Sequence, residues 1–267
     1  MRNNPLVSVI IATYNRAEYI KKAINSALEQ TYKNIEIIIV DDGSKDSTKE
    51  VINPYIKEKK IKYIYQNNAG SLKARDNGIR AAGGNYIAVL DSDDYWCDNR
   101  KLEKQIIFLE NSPSYVLAGG GMILIDENNK EADKYLFPEK DKDIRKSILV
   151  KNVFVHSSVV FKKESWQKVN GYCGREKPFV HDWSFWLELG KLGKFYNFQE
   201  YFVKYIKGTQ NSGGRNIFNC TNLQRLKINI EIRKKYRKDY PNFYKAFVLA
   251  WMHYFYSIIF KRRKKLC

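Results

Sequence analysis

Asp91, Asp93 and Asp94 crowd one turn directly behind the apolar run 86–90, and Trp96 follows closely. Three carboxylates so close together repel one another, so their grouping needs a chemical reason. Carboxylate oxygens are the ligands that Mg2+ and Mn2+ prefer, usually one or two of them beside phosphate oxygens and water. The alternate spacing in Asp91-Ser92-Asp93 lets one carboxylate hold a cation while its neighbour accepts hydrogen bonds from ribose hydroxyls. An isolated Asp-x-Asp is more often a turn, because Asp favours turns on its own account. Two further polar segments, residues 13–16 and 41–44, also follow apolar runs, and the coincidence of the three argues for a site.

The elements that must position these residues follow from hydrophobic periodicity. Residues 6–12 are an apolar run rich in Val and Ile, which suits a strand buried on both faces, 35–40 read as a second buried strand, and 61–66 and 86–90 as a third and a fourth strand. Between them, residues 18–30, 47–56 and 71–82 carry apolar residues at helical spacing, with Gly83-Gly84 expected as a C-cap. The alternation βαβαβαβ predicts an α/β fold with a mostly parallel sheet and helices on both faces. In such sheets ligands bind beyond the carboxyl ends of the strands, where the strand order reverses. All three polar segments fall at such ends. The first holds no GxGxxG turn, and the chain has no GxxxxGK[ST] loop, so a bound nucleotide diphosphate needs a cation instead of a glycine cradle.

Beyond residue 98 a helix is expected over 101–110, a strand over 115–125 broken near Gly119–Gly121, a charged loop over 126–143, and strands over 154–161 and 202–206. Helices are expected over 182–192 and 223–240. The chain has 267 residues, 44% apolar and 14% aromatic, enough for one large domain with an appendage. Its net charge of +18 implies an anionic partner such as nucleotide phosphate, acidic lipid or nucleic acid. Cys97, Cys173, Cys220 and Cys267 form no CxxC pair, so neither a zinc site nor a disulfide scaffold is expected, and a reducing cytoplasm fits best. The run 7–12 is too short for a signal-peptide core, and no segment has the ~20 apolar residues of a membrane span.

PLVSVIIATYNR, IEIIIVDDGSKDST, NNAGSLKARDNGI and YIAVLDSDDYW, in this order and spacing, resemble family 2 glycosyltransferases over roughly residues 5–210. The resemblance implies the GT-A fold, a Rossmann-like nucleotide-binding architecture, and transfer of a sugar from a nucleotide donor with inversion, using Mn2+ or Mg2+. A UDP-sugar is the expected donor. Carried over by position, it implies that Ala12, Thr13 and Tyr14 line the base and ribose and that Arg16 helps hold the nucleotide. Asp41 would bond the base or ribose, Arg75 would sit near the nucleotide, Asp91 would face the ribose or donor sugar, and Asp93 would bind the metal. Residues 179–186, FVHDWSFW, resemble the family's Glu-Asp-x-x-Leu-Trp box, which makes Asp182 the expected catalytic base. His181 and Trp183 are the acceptor-side candidates, while Trp186 is expected in the core. His181 replaces the usual Glu, Ala12 a common Pro and Asp76 the usual Asn. Residues 204–212 match the family's later Arg-x-His segment only loosely, leaving Lys207 or Arg215 as substitutes there.

A GT-A domain over residues 1–215 is therefore expected, with a helical C-terminal extension over 216–267. Residues 243–260 are nearly all apolar or aromatic and precede Lys261-Arg262-Arg263-Lys264-Lys265. That pairing fits a helix lying on an anionic membrane surface through residues 243–265, where a glycan or lipid-linked acceptor would be reached at the inner face of the cell membrane, in polysaccharide or glycoconjugate biosynthesis. Packing on the catalytic domain, or a homodimer, is the alternative. A nucleotidyltransferase on a related fold and a basic nucleic-acid-binding protein are the competing functions. The first generally needs a Gly-rich, Arg-containing loop that ATYNR lacks. The second has no aromatic RNA-binding signature or recognition helix behind it, so no nucleic-acid partner is expected.

Overall fold

The computed structural model describes residues 4–126, 128–172, 181–206 and 221–263. Its first half runs β1 (Val7–Thr13), α1 (Ile20–Leu28), β2 (Ile35–Asp41), α2 (Thr48–Lys57), β3 (Lys62–Tyr65), α3 (Ser71–Arg80) and β4 (Tyr86–Val89). These strands form the parallel core expected from the apolar runs: β1 pairs in parallel with both β2 and β4, and β2 with β3. Ile10, Ile38 and Val40 face one buried cluster, while Val9, Ile11, Ile37 and Ile39 face another. Alternate side chains thus enter cores on opposite faces, which is why β1 and β2 are almost wholly apolar, and their one interior polar pair, Ser8 and Glu36, is hydrogen-bonded across the strands.

The second half is β5 (Tyr95–Trp96), α4 (Lys101–Asn111), β6 (Tyr115–Ile125), β7 (Glu131–Tyr135), α5 (Asp141–Ile148), a 3-10 turn at His156–Ser158, β8 (Val160–Lys162), α6 (Lys163–Lys168), α7 (His181–Leu189), β9 (Lys194–Ile206), α8 (Asn222–Lys235) and α9 (Phe243–Arg263). The sheet order is β3-β2-β1-β4-β8-β6-β9-β5, with β7 beside β6. The chain lays β2 and β3 on one side of β1 and then returns to lay β4 on the other. The carboxyl ends of β1 and β4 therefore flank the reversal point. Beyond β4 the pairing becomes mixed: β8 joins β4 and β6 antiparallel, whereas β6 and β9 run parallel.

Several expectations are corrected. Residues 126–143 are not one loop, since they hold β7 and the start of α5. Segment 154–161 is a 3-10 turn followed by a short strand, because Ser157 and Ser158 are buried on polar partners rather than in a ladder. The strand expected over 202–206 is the end of a 13-residue strand. β6 runs through its glycines with register shifts rather than a break. Nor does α3 end on a glycine cap: Ala81 is its right-handed C-cap, and neither Gly83 nor Gly84 has a positive φ. Gly84 instead permits close packing, for a Cβ there would lie 2.7 Å from the Leu6 carbonyl oxygen.

The C-terminal helices form a hairpin. Thr221 caps α8 with a reciprocal box, its hydroxyl accepting from Gln224 N–H and its own N–H donating to the Gln224 side chain. Ile232, Tyr236, Tyr240 and Ala246 join the core cluster that contains Trp183 and Trp186. The expected boundary between residues 215 and 216 lies outside the described residues.

Candidate active site

The turn behind β4 answers the repulsion problem with separate partners for each acid. Asp91 accepts from Arg75 Nη2 at 2.7 Å and lies 3.1 Å from His156 Nδ1. Asp93 pairs with Arg16 Nη2 at 3.1 Å. Asp94 is buried and accepts from the Ser157 hydroxyl, which in turn accepts from the Asp91 N–H. The sequence reading assigned a cation to offset the repulsion, but the chain's own cations already offset much of it. Burial alone pushes the Asp91 carboxyl up, yet the adjacent His156 and Arg75 override it and hold Asp91 well below the usual carboxylate range. Asp94 goes the other way: burial, then the charges of Asp91 and Asp93, drive its carboxyl well above that range.

Four elements supply the surroundings. From the end of β1, Thr13 is buried, its Oγ1 without a hydrogen-bond partner, and Ala12 is half-buried. Tyr14 is 37% exposed, an open ring just past the end of β1. Asn15 takes a left-handed φ of 52° and joins this loop to the next, its N–H donating to Ser44 and its side chain accepting from Lys45 N–H. At the end of β2, Asp41 accepts from the Tyr63 hydroxyl and the Ser44 N–H, both at 2.8 Å. Asp42 accepts from the N–H groups of Ala69 and Gly70 and from the Gln66 amide, which fixes the entry to α3. From α3, Arg75 places only one nitrogen on Asp91. Its Nε and Nη1 are buried without a partner, so the guanidinium keeps donors for a ligand. Asp76, on the same helix, holds Trp166 Nε1 at 2.8 Å and the Tyr172 N–H at 2.9 Å. That contact brings the Tyr172 hydroxyl to 3.2 Å from His156 Nε2.

Asp182 lies in the first turn of α7 and accepts from the Asn152 amide at 2.9 Å and from the Trp183 N–H at 2.7 Å. Its charge reaches Arg75, Tyr172 and Tyr205. Tyr205, at the end of β9, is held above the ordinary phenol range by burial first and then by the charges of Asp94, Asp91, Asp93 and Asp182 together. Carboxylates from two separate segments, residues 91–94 and Asp182, thus act on one phenol at one end of the sheet.

Trp183 requires a correction. It is 5% exposed, its indole N–H donates to the Ile148 carbonyl at 2.6 Å, and the Arg233 guanidinium covers it at 5.1 Å. It offers no ring face to an acceptor sugar. Trp186 is fully buried, as its helical spacing predicts. The side chain of His181 lies outside the described residues, as do Lys207 and Arg215. His156, Ser157, Asn152, Tyr172 and Tyr205 escaped assignment from sequence. His156-Ser157-Ser158 lies in the segment expected as a strand over 154–161, and nothing in the pattern showed that it closes on Asp91.

The donor set suits a hard divalent cation: Asp93 offers carboxylate oxygens, and Arg75, bound to Asp91 two residues away, keeps orphaned nitrogens that suit phosphate. Among the described residues no three His, Cys, Asp or Glu side chains converge to cage a metal. A cation here would be held by Asp93 and completed by ligand oxygens and water.

Comparison with known proteins gives a consistent result. The profile described as "Glycosyl transferase family 2" matches residues 8–169. A Haemophilus influenzae protein described as an uncharacterized glycosyltransferase is 31% identical over 223 residues, 79% of this chain and 69% of its own length. Two Rickettsia relatives, R. prowazekii and R. typhi, are 35% identical, and this chain spans 64% of each. Among solved structures, S. aureus TarS in complex with UDP-GlcNAc superposes with a TM-score of 0.64 at 18% identity, covering 86% of this chain and 72% of that one. A Pyrobaculum calidifontis mannosyltransferase in complex with GDP-Man and Mn2+ gives 0.64 at 17%, covering 95% and 70%.

Proposed function

The chain belongs to glycosyl transferase family 2, and from that premise we propose that it transfers a sugar from a nucleotide-sugar, a UDP-sugar first among candidates, to a hydroxyl of a glycan or lipid-linked acceptor with inversion, in polysaccharide or glycoconjugate biosynthesis. One observation carries this reading: α7, which bears Asp182 in its first turn, sets Trp186 5.9 Å from the His156 ring, and that ring lies 3.1 Å from Asp91. The packing supports a base and a donor-holding acid at the same end of the sheet, by its switch point.

The geometry supports the following roles. Tyr14, exposed at the end of β1, stacks on the base, with Ala12 beside it. Asp41, fixed by Tyr63 and Ser44, accepts from the base or a ribose hydroxyl, and the orphaned Thr13 Oγ1 is a second polar contact. Asp91, held ionised by Arg75 and His156, accepts from ribose or donor-sugar hydroxyls. The spare nitrogens of Arg75 and the guanidinium of Arg16 meet the diphosphate. Asp93 holds Mn2+ or Mg2+, which when bound neutralises the departing nucleoside diphosphate. Asp182 takes the proton of the acceptor hydroxyl as its oxygen bonds to the anomeric carbon. The bond from that carbon to the diphosphate oxygen breaks, and the electron pair leaves with the nucleotide. Asn152 keeps the Asp182 carboxylate aimed.

A second Asp-directed contact bears on engagement of the donor. Arg16 already occupies Asp93, so donor and cation must share or displace that pair. Neighbours on this fold hold UDP-GlcNAc in one case and GDP-Man with Mn2+ in another, so the base identity needs its own measurement. A thermal-shift screen of UDP- and GDP-sugars with and without Mn2+ supplies it: one donor should raise the melting temperature in a metal-dependent way. Asp182→Asn should keep that shift and lose at least 100-fold in transfer rate. Asp93→Ala should lose the metal-dependent shift itself. Near-normal turnover by Asp182→Asn removes the base assignment.

A further inference from the structure

A cavity of about 250 Å³ with a mixed polar and apolar lining lies in the C-terminal hairpin between α8 and α9. Asn222, Arg225, Asn229 and Arg233 line it from α8, and His253 and Ser257 from α9. No Asp or Glu is among the described residues that line it. Arg233 is 5% exposed. Its Nη1 donates to the Asn229 carbonyl and side-chain oxygens, and its Nη2 to the Val150 carbonyl at 2.8 Å, all neutral acceptors. Its Nε is buried without a hydrogen-bond partner. Burial alone holds this guanidinium down to about 10, with no neighbouring negative charge to raise it. A buried cation facing only neutral groups is costly to keep, and an anion beside it offsets that cost. The Asn222 amide donates to Ser257 Oγ across the hairpin, so the wall is prearranged from both helices.

We propose that this cavity binds the phosphate group of a ligand distinct from the nucleotide donor, with Arg225 and the Arg233 Nε as the charged donors and the Asn and Ser side chains completing the shell. Phosphate suits the lining because guanidinium donors match its oxygens in geometry and charge. The cavity is joined to the catalytic side through Arg233, which bonds to Val150 and covers Trp183, the residue after Asp182. The phosphate can belong to a soluble ligand or to a lipid headgroup. A lipid origin is favoured by α9 itself: Ala250, His253, Tyr254 and Ser257 face the cavity, while Tyr244, Val248, Met252, Phe255, Tyr256 and Ile259 form an exposed apolar stripe on its opposite side.

The test uses the full chain, with inorganic phosphate as the first probe at constant ionic strength. Saturable binding by calorimetry is expected, weakened at least tenfold in Arg225→Gln and in Ala250→Leu, which fills the cavity without touching either arginine. Stabilisation by UDP with Mn2+ should be unchanged in both variants, which shows that they fold and keeps this result separate from the donor reading. An equal response in wild type and both variants, or competition of phosphate by UDP, overturns the proposal. In the second arm, phosphatidylcholine vesicles with and without phosphatidic acid locate the source. Phosphatidate-dependent retention that Ala250→Leu abolishes assigns the phosphate to lipid. Cavity-dependent binding of soluble phosphate with no such retention assigns it to a soluble ligand. Failure of both arms ends the proposal.

Discussion

Lys101 shows how much a single buried group can shape this site without touching a substrate. Its side chain is fully buried, donates to Gln105 Oε1 at 2.8 Å and lies 4.2 Å above the Trp96 ring. Gln105 passes the contact on, donating to the carbonyls of Ala118 and Ser158, and Trp96 donates to the Ser157 carbonyl. The chain of bonds thus ends under the turn that carries His156 to Asp91. Burial pushes the Lys101 ammonium well below its ordinary range, and the charge of Asp98 offsets this only in part. The folded state therefore binds its proton less tightly than the unfolded state. The destabilisation is largest at low pH and is relieved as pH rises through the folded value toward the lysine's usual ~10.4. Lys101→Met should stabilise the chain by about 1–3 kcal/mol at neutral pH, with the difference shrinking as pH rises, as read by urea denaturation between pH 6 and 10. A pH-independent difference would show that the folded lysine keeps its ordinary proton affinity and that burial does not lower it. Charge-state logic of this kind was not legible in sequence, where Lys101 opens an ordinary amphipathic helix.

At the scale of elements, Glu188 fastens the helical hairpin to the catalytic half. It stands on α7, six residues past Asp182, and takes hydrogen bonds from Lys235 at 2.8 Å, the Tyr236 hydroxyl at 2.7 Å and Lys191 at 3.1 Å. Burial raises its carboxyl, but the bonds from Lys235, Tyr236 and Lys191 override this and bring it down to about 2. Its folded value is thus below the ~4.3 of a free glutamate, so its contribution is fully present above that pH and is lost as pH falls toward 2. Glu188→Gln should cost about 1–3 kcal/mol at pH 7 and almost nothing near pH 2, in denaturant melts at the two pH values. It should also loosen α8 from α7, seen as faster amide exchange in 222–235 while β1 and β2 keep their protection. β1, β2 and β4 were legible as elements because they are largely buried and read as mainly apolar runs, whereas β3, KYIY, is half-exposed and was legible through its β-forming residues. β7 and β9 were not: all five β7 residues are exposed, and β9 alternates buried and exposed residues through its polar middle.

For the whole molecule, the position of α9 sets the question of what surface the enzyme meets. No described helix is long and apolar enough to cross a membrane. The six stripe residues are each more than half exposed, at Tyr244, Val248, Met252, Phe255, Tyr256 and Ile259, and the stripe runs toward the basic sequence 261–265. An apolar stripe beside a cationic run is complementary to an anionic bilayer surface, and vesicle binding tests that pairing. Co-sedimentation with phosphatidylglycerol vesicles should exceed that with phosphatidylcholine at least tenfold and fall to background in a Val248→Glu, Phe255→Glu double variant. If the wild type instead elutes as a dimer that the same variant splits, the stripe is a homodimer face and the bilayer assignment fails.

What the sequence determined by itself was the nucleotide half: four apolar runs, three polar strand ends and an acid-rich turn fix a parallel sheet and its binding edge, because period and strand-end chemistry are local properties. It also singled out Asp182 by its motif. Only the tertiary structure decided which partner each acid has. Arg75 comes from 16 residues before Asp91, His156 from 65 after it and Arg16 from 77 before Asp93, so the balance of charge in the cleft is a product of strand order. Burial likewise decided that Trp183 belongs to the core and that Arg233 faces a cavity, since neither solvent access nor the lack of a counter-charge is written in the spacing of residues along a chain.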